Sequence, residues 1–192
     1  EAIFKGEDVL AFFTSDSQEE VNFDDYTQIE FDEEVLQIKN TWDIFSLNDK
    51  AIQEDFDLIT EGRTSQPIPE GTRYLGKENI FIEEGAKITF AILNASSGPI
   101  YIGKDAEIME GSAVRGPFAM GEFSVLKLNT KIYGATTLGP YCKVGGEVNN
   151  SVLMAYSNKG HDGFLGNSVI GEWCNLGADT NNSNLKNNYA TV

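Results

Sequence analysis

From Ile102 to Val144 an aliphatic residue returns at every sixth position: Ile102, Ile108, Val114, Met120, Leu126, Ile132, Leu138 and Val144. Helices repeat every 3.6 residues and strands every two, so a sustained period of six marks a short strand plus its turn, repeated. A second column stands four residues after each member: Ala106, Ser112, Phe118, Ser124, Thr130, Thr136, Cys142 and Val148. Most of it is small. Glycine follows the aliphatic residue at Gly103, Gly121, Gly139 and Gly145.

This pattern predicts a chain wound as a three-sided coil, about 18 residues to the turn. The aliphatic column fills the prism, the small column fits its narrower part, and glycine relieves the corner. Successive turns stack at about 4.8 Å, so each turn's backbone pairs with the next. One turn cannot bury its own face, which makes stacking obligatory. The expectation is a mainly β fold, a parallel β-helix of hexapeptide repeats of about five or six turns over roughly 80–190.

The register breaks twice. Ile82 and Ile88 agree with each other, but Ile88 to Ile102 is two residues more than two repeats. Phe164, Ile170 and Leu176 agree with each other, but Val144 to Phe164 is two more than three repeats. These offsets predict loops bulging from corners, around 94–99 and within 155–163. Loops on a regular scaffold are where function is usually carried. The second holds His161, the one histidine of the chain.

Charge divides the chain. Of the net −16, residues 1–70 carry −15 and residues 71–192 carry −1. The stretch SQPIPEG, ending at Gly71, is the expected boundary between an acidic α+β segment and the solenoid. In the acidic segment VLAFF and QIEF suggest strands. Ile44, Leu47, Ala51, Ile52, Phe56 and Ile59 recur at helical spacing, predicting a helix over about 47–61 that leans on the solenoid. Ser46 or Asn48 can cap its start and Gly62 its end.

The acidity argues against nucleic acid and anionic membranes as partners. The longest apolar runs are far shorter than a membrane span. Two cysteines are too few for a disulfide framework, so a cytoplasmic setting is expected; both lie in the small column and read as inert core residues. No Cys/His spacing suits zinc, and no metal is expected. The chain opens on Glu1, as a piece of a longer polypeptide would, without signal-peptide character.

The runs KGH (159–161), FLGN (164–167), NLGAD (175–179) and NNSN (181–184), preceded by GGEV (145–148), carry a resemblance. They are similar to the K-A-G-H, Y-L-G-D and N-I-G-A-G runs and the asparagine arm of one family. It is the hexapeptide-repeat acetyltransferase domain of the bifunctional glucosamine-1-phosphate acetyltransferase/N-acetylglucosamine-1-phosphate uridylyltransferase. WDIFSLND and IFIEEGAKI resemble a branch of sugar nucleotidyltransferases in which a nucleotidyltransferase domain precedes the solenoid. The resemblance covers about 35–192. The glycine-rich nucleotide-binding entry motif is not among these residues, so residues 1–70 would be the tail of that domain plus a linker helix.

What the resemblance implies is a left-handed coil, a homotrimer with sites between neighbouring prisms, and acyl transfer from acetyl-CoA to an amino sugar phosphate or sugar nucleotide. His161 matches the catalytic base; a side chain titrating near neutrality suits proton removal from an attacking amine. Asn175 and Asn184 match contacts to sugar and acetyl donor. Phe164 and Leu185 stand where the family has tyrosine, and Asn149 where it has a phosphate-holding lysine, so three contacts to glucosamine 1-phosphate are replaced. Lys127 or Lys131 could meet the phosphate instead. The alternative is a solenoid without catalysis, serving as the trimerising, regulatory module of a sugar-1-phosphate nucleotidyltransferase.

Overall fold

The computed structural model describes residues 1–15, 17 and 20–182. The chain divides into two units, Glu1–Gln37 and Ile38 onward. In the first, β1 (Ala2–Lys5) pairs antiparallel with β2 (Asp8–Phe12) and parallel with β3 (Gln28–Glu30). Phe4, Phe12, Phe23 and Tyr26 pack together with ring centroids 5.3–6.2 Å apart, edge to face except for the tilted Phe23–Tyr26 pair. The expected strands over VLAFF and QIEF are present.

The second unit begins with α1 (Asp43–Ser46) and α2 (Asn48–Thr60). The helical segment starts at Asp43, four residues before the expected place, and the Asp43 carboxylate accepts the N–H groups of Lys39 and Asn40, which precede the helix, at 2.9 and 2.8 Å. These bonds hold its carboxyl below the usual carboxylate range. Neither Ser46 nor Asn48 caps a helix start. The Ser46 hydroxyl donates to the Trp42 carbonyl. Asn48 turns into the solenoid, where its Nδ2 donates to the Ala135 carbonyl at 2.9 Å and its Oδ1 accepts the Thr137 hydroxyl at 2.8 Å. Gly62 ends the helical region in the left-handed conformation, as read.

Of the predicted apolar stripe, Ile52 and Phe56 are buried, whereas Ile59 is 40% exposed. Those two anchors and the Asn48 bonds join the helix to the coil, which is why the units divide at Gln37 and not at Gly71. Past the helix, Arg63 grips both oxygens of Glu83 at 2.6 and 2.7 Å.

The solenoid winds turn by turn. β4 (Arg73–Leu75), β5 (Ile80–Ile82) and β6 (Lys87–Ile88) make the first turn. β7 (Ile92–Asn94), β8 (Ile100–Ile102) and β9 (Glu107–Ile108) make the second. β10 (Ala113–Arg115), β11 (Phe118–Met120) and β12 (Val125–Leu126) follow, then β13 (Lys131–Tyr133), β14 (Thr136–Leu138) and β15 (Lys143–Val144). β16 (Glu147–Leu153) runs along two faces and is followed by β17 (Asn158–Lys159); β18 (Phe164–Ile170) opens a sixth turn. Every strand pairs parallel with its counterpart one turn away. The fold is a left-handed parallel β-helix.

Both predicted columns are interior. Ile102 through Val144 are at most 2% exposed, and Ala106 through Val148 are fully buried. Buried hydroxyls of the small column find carbonyls in the next turn: Ser112 donates to Lys127, and Ser124 to Gly139. Cys142 is buried, which raises its thiol pKa, while Cys174 is half-buried.

The first register break is a loop, as expected: β7 and β8 are separated by Ala95–Pro99. The second is not. Leu126 pairs with Val144 eighteen residues on, but Val144 pairs with Lys159 after fifteen. Ile132 pairs with Val148 after sixteen, and Val148 with Leu165 after seventeen. No loop bulges at 155–163; corners before and after it are shortened instead. Gly145 and Gly146 turn a corner in two fewer residues, and Asn150 and Asn167 turn others in one fewer by taking φ of 44° and 46°. The inward residue of the sixth turn is therefore Leu165, 4% exposed, with Phe164 beside it pointing outward. A count of sixes cannot tell an insertion of two from deletions totalling four.

Candidate functional site

The shortened corner creates the site. Four residues separate the inward Val144 from Val148, against six from Leu126 to Ile132 above and six from Lys159 to Leu165 below. The Gly145–Gly146 corner is therefore recessed between two longer corners, one bearing Lys127 and Leu128, the other His161 and Asp162. A notch of about 280 Å³ opens there. Only glycine permits it. Gly146 has φ +74°, and a Cβ on it would lie 2.8 Å from the Gly163 carbonyl oxygen; one on Gly145 would lie 2.8 Å from that of Gly160.

The notch continues into a cleft of about 230 Å³ on the adjoining face, lined by Lys127, Lys143, Asn158, His161 and Asn175. Of the residues picked out in the sequence, His161, Lys127 and Asn175 thus meet. Lys143, Asn158 and Asn175 occupy equivalent outward positions, each just before an inward residue, and successive turns bring them into one row. Lys143 and Asn158 escaped the sequence reading. Their signal was that position, which points to the same face at every turn.

His161 is exposed, and its imidazole makes no hydrogen bond among the described residues. Its backbone is held: the Lys159 ammonium donates to the His161 carbonyl at 2.9 Å and to the Gly145 carbonyl at 3.2 Å. Lys159 is 1% exposed. Burial pushes its pKa below the ordinary lysine value, against the raising influence of Asp162 and Asp179. Lys127 and Lys143 have no carboxylate within ion-pair distance among the described residues. The cleft therefore presents two unpaired ammonium groups beside an imidazole and two carboxamides. Such a set suits an anionic, hydroxyl-bearing ligand and leaves a nitrogen free to take a proton.

Two predicted residues lie elsewhere. Asn149 follows Val148 on the first face, next to Tyr133, where strand alternation turns it away from the notch. Phe164 lies over Gly166 on that face, and its N–H donates to the Asn181 side chain at 2.7 Å. Asn184 and Leu185 lie outside the described residues. Three other asparagines are structural: Asn150 donates to Asn167 at 2.7 Å, Asn181 accepts from Phe164, and Asn182 bonds both N–H and carbonyl of Gly166.

A family model described as sugar nucleotidyl transferase matches residues 1–64, the first third of the chain. No curated protein sequence matches the chain. The matched segment and the solenoid together point to a sugar-nucleotide-related role. No helix among the described residues is long and apolar enough to cross a membrane.

Proposed function

We infer that the notch is an acyltransferase site, transferring an acetyl group from acetyl-CoA to the amine of an amino sugar phosphate or sugar nucleotide. The observation that carries this reading is the recessed Gly145–Gly146 corner, around which His161, Lys127, Lys143 and Asn175 converge. Lys127 and Lys143 hold the phosphate of the acceptor as point charges, and Asn158 and Asn175 bond sugar hydroxyls. The acceptor nitrogen attacks the thioester carbonyl, and the His161 imidazole takes the proton that nitrogen sheds. The tetrahedral intermediate collapses, breaking the carbon–sulfur bond. The thiolate of CoA leaves and is protonated, and an amide remains. The cleft is open on its outer side, so a neighbouring copy in a homotrimer would complete its wall.

The test is release of free CoA with glucosamine 1-phosphate and related amino sugars, for the parent and His161→Ala together. Loss of a positioned general base should slow turnover by about 10²–10⁴-fold. The thermal midpoint should not change, since an exposed side chain packs against little. Equal rates would remove His161 from the mechanism. The scaffold reading has support of its own, because no carboxylate among the described residues orients the imidazole and Asn149 lies off the cleft. It expects no CoA release from the parent with any acceptor, together with a trimer mass by light scattering.

A further inference from the structure

Lys159 occupies a place in the prism where every other turn has an aliphatic residue. It pairs with Val144, which stands beneath Leu126, Ile108 and Ile88 in the same column. A lysine there brings an ammonium group into an apolar stack. Burying such a charge is expensive unless its hydrogen bonds are made. The side chain is long enough to run along the interior and bring Nζ to the corner, where it meets the carbonyl oxygens of Gly145 and His161.

Those two carbonyls belong to the floor of the notch and to one of its walls. Gly145 is on the recessed corner, and His161 is on the corner below it. The lower corner begins at Gly160, around which a Cβ would meet nothing within 4 Å, and ends at Gly163 with φ +124°; backbone bonds reach it at Asp162 and Gly163, and the His161 carbonyl between Gly160 and Asp162 is held by Lys159. An aliphatic residue at 159 would fill the column equally well. It would leave both carbonyls without their donor.

We propose that Lys159 is a positioning residue of the notch, its ammonium clamping the Gly145 and His161 carbonyls together and thereby setting where the His161 imidazole stands. The clamp itself is independent of what the site does; its effect on turnover rests on the acyl-transfer reading above.

Lys159→Met keeps an unbranched side chain of similar volume suited to an apolar column. Amide hydrogen exchange reads the clamp directly. The Glu147 N–H donates to the Gly163 carbonyl at 3.2 Å and the Asp179 N–H to that of Asp162 at 3.0 Å, so both report on the lower corner. Both should exchange about tenfold or more faster in the variant, while Val125 and Lys143, bonded deeper in the coil, stay unchanged. Turnover with acetyl-CoA and acceptor should fall about tenfold or more, with KM for acetyl-CoA within about threefold, as expected for a misplaced base and not for a lost binding contact. Unchanged exchange at Glu147 and Asp179 overturns the clamp. Faster exchange with unaltered kcat overturns its part in turnover. Where the parent releases no CoA, exchange alone decides: faster exchange keeps the clamp while the acyl-transfer reading falls. Should the variant not fold, the parent still tests the idea. The Lys159 ammonium protons should be observable by NMR at neutral pH, and a Lys159 that exchanges like Lys127 and Lys143 refutes the proposal.

Discussion

Gly146→Ala tests the origin of the notch. At φ +74° an L side chain costs about 1–2 kcal/mol from contact with its own backbone. The new Cβ would also lie 2.8 Å from the Gly163 oxygen, 2.9 Å from Asp162 Cα and 3.0 Å from Gly163 N. All three are backbone atoms of the next turn, so relief requires the turns to separate locally, and overpacking of this kind costs about 1–3 kcal/mol. The alanine recovers about 0.4–1 kcal/mol by restricting the unfolded chain. The net loss is about 1–5 kcal/mol, which for a chain of this size lowers the thermal midpoint by about 2–18 °C. Gly160→Ala, fourteen residues on and in the facing corner, is the control: its φ is ordinary and its Cβ would meet nothing, so its midpoint should stay within about 2 °C of the parent. Differential scanning calorimetry on both variants and the parent decides. Equal midpoints for the two variants would refute the claim that close approach at a left-handed corner makes the recess.

Asn48→Ala removes the polar link between α2 and the coil and leaves the Ala135 carbonyl without its donor, so urea unfolding should show a loss of about 1–3 kcal/mol; a loss near zero would mean that Ile52 and Phe56 alone hold the helix. Lys159 also predicts a pH dependence. Its folded pKa lies below its unfolded value, so between the two the unfolded chain binds more protons; stability should rise with pH through that window up to about 10.4, and Lys159→Met should lack this rise. Tyr101 and Tyr133, whose hydroxyls donate to Glu83 and Glu147, have raised pKa values and act oppositely above about pH 10, so the comparison belongs below that.

How far the site was legible follows from its geometry. His161 and Asn175 could be singled out because they stand in the runs that carry the resemblance, and Lys127 as a cation able to meet the phosphate in place of the missing lysine. Lys143 and Asn158 could not, because which outward residues share a cleft depends on the stacking offset. That offset changes at Gly145–Gly146 and again at Asn150. Lys159 stands in the sequence between an asparagine and a glycine, and nothing in that local context marks it as buried. Its burial follows only when fifteen residues, not eighteen, separate it from the residue it lies against. Asn149 and Phe164 were named from the resemblance, and strand alternation on the first face turns both away from the cleft.

The repeat of six determined by itself that this chain winds into a prism, which residues fill it from Ile102 to Val148, and that the interior is aliphatic on one column and mostly small on the other. Those properties follow from local spacing, since each residue's direction is set by strand alternation within its own turn. Tertiary structure alone decided where a turn is short, which corners therefore face each other across a recess, and that a lysine ammonium joins them. Those depend on the alignment of one turn with the next, a contact between residues fifteen to eighteen apart that no window of sequence contains.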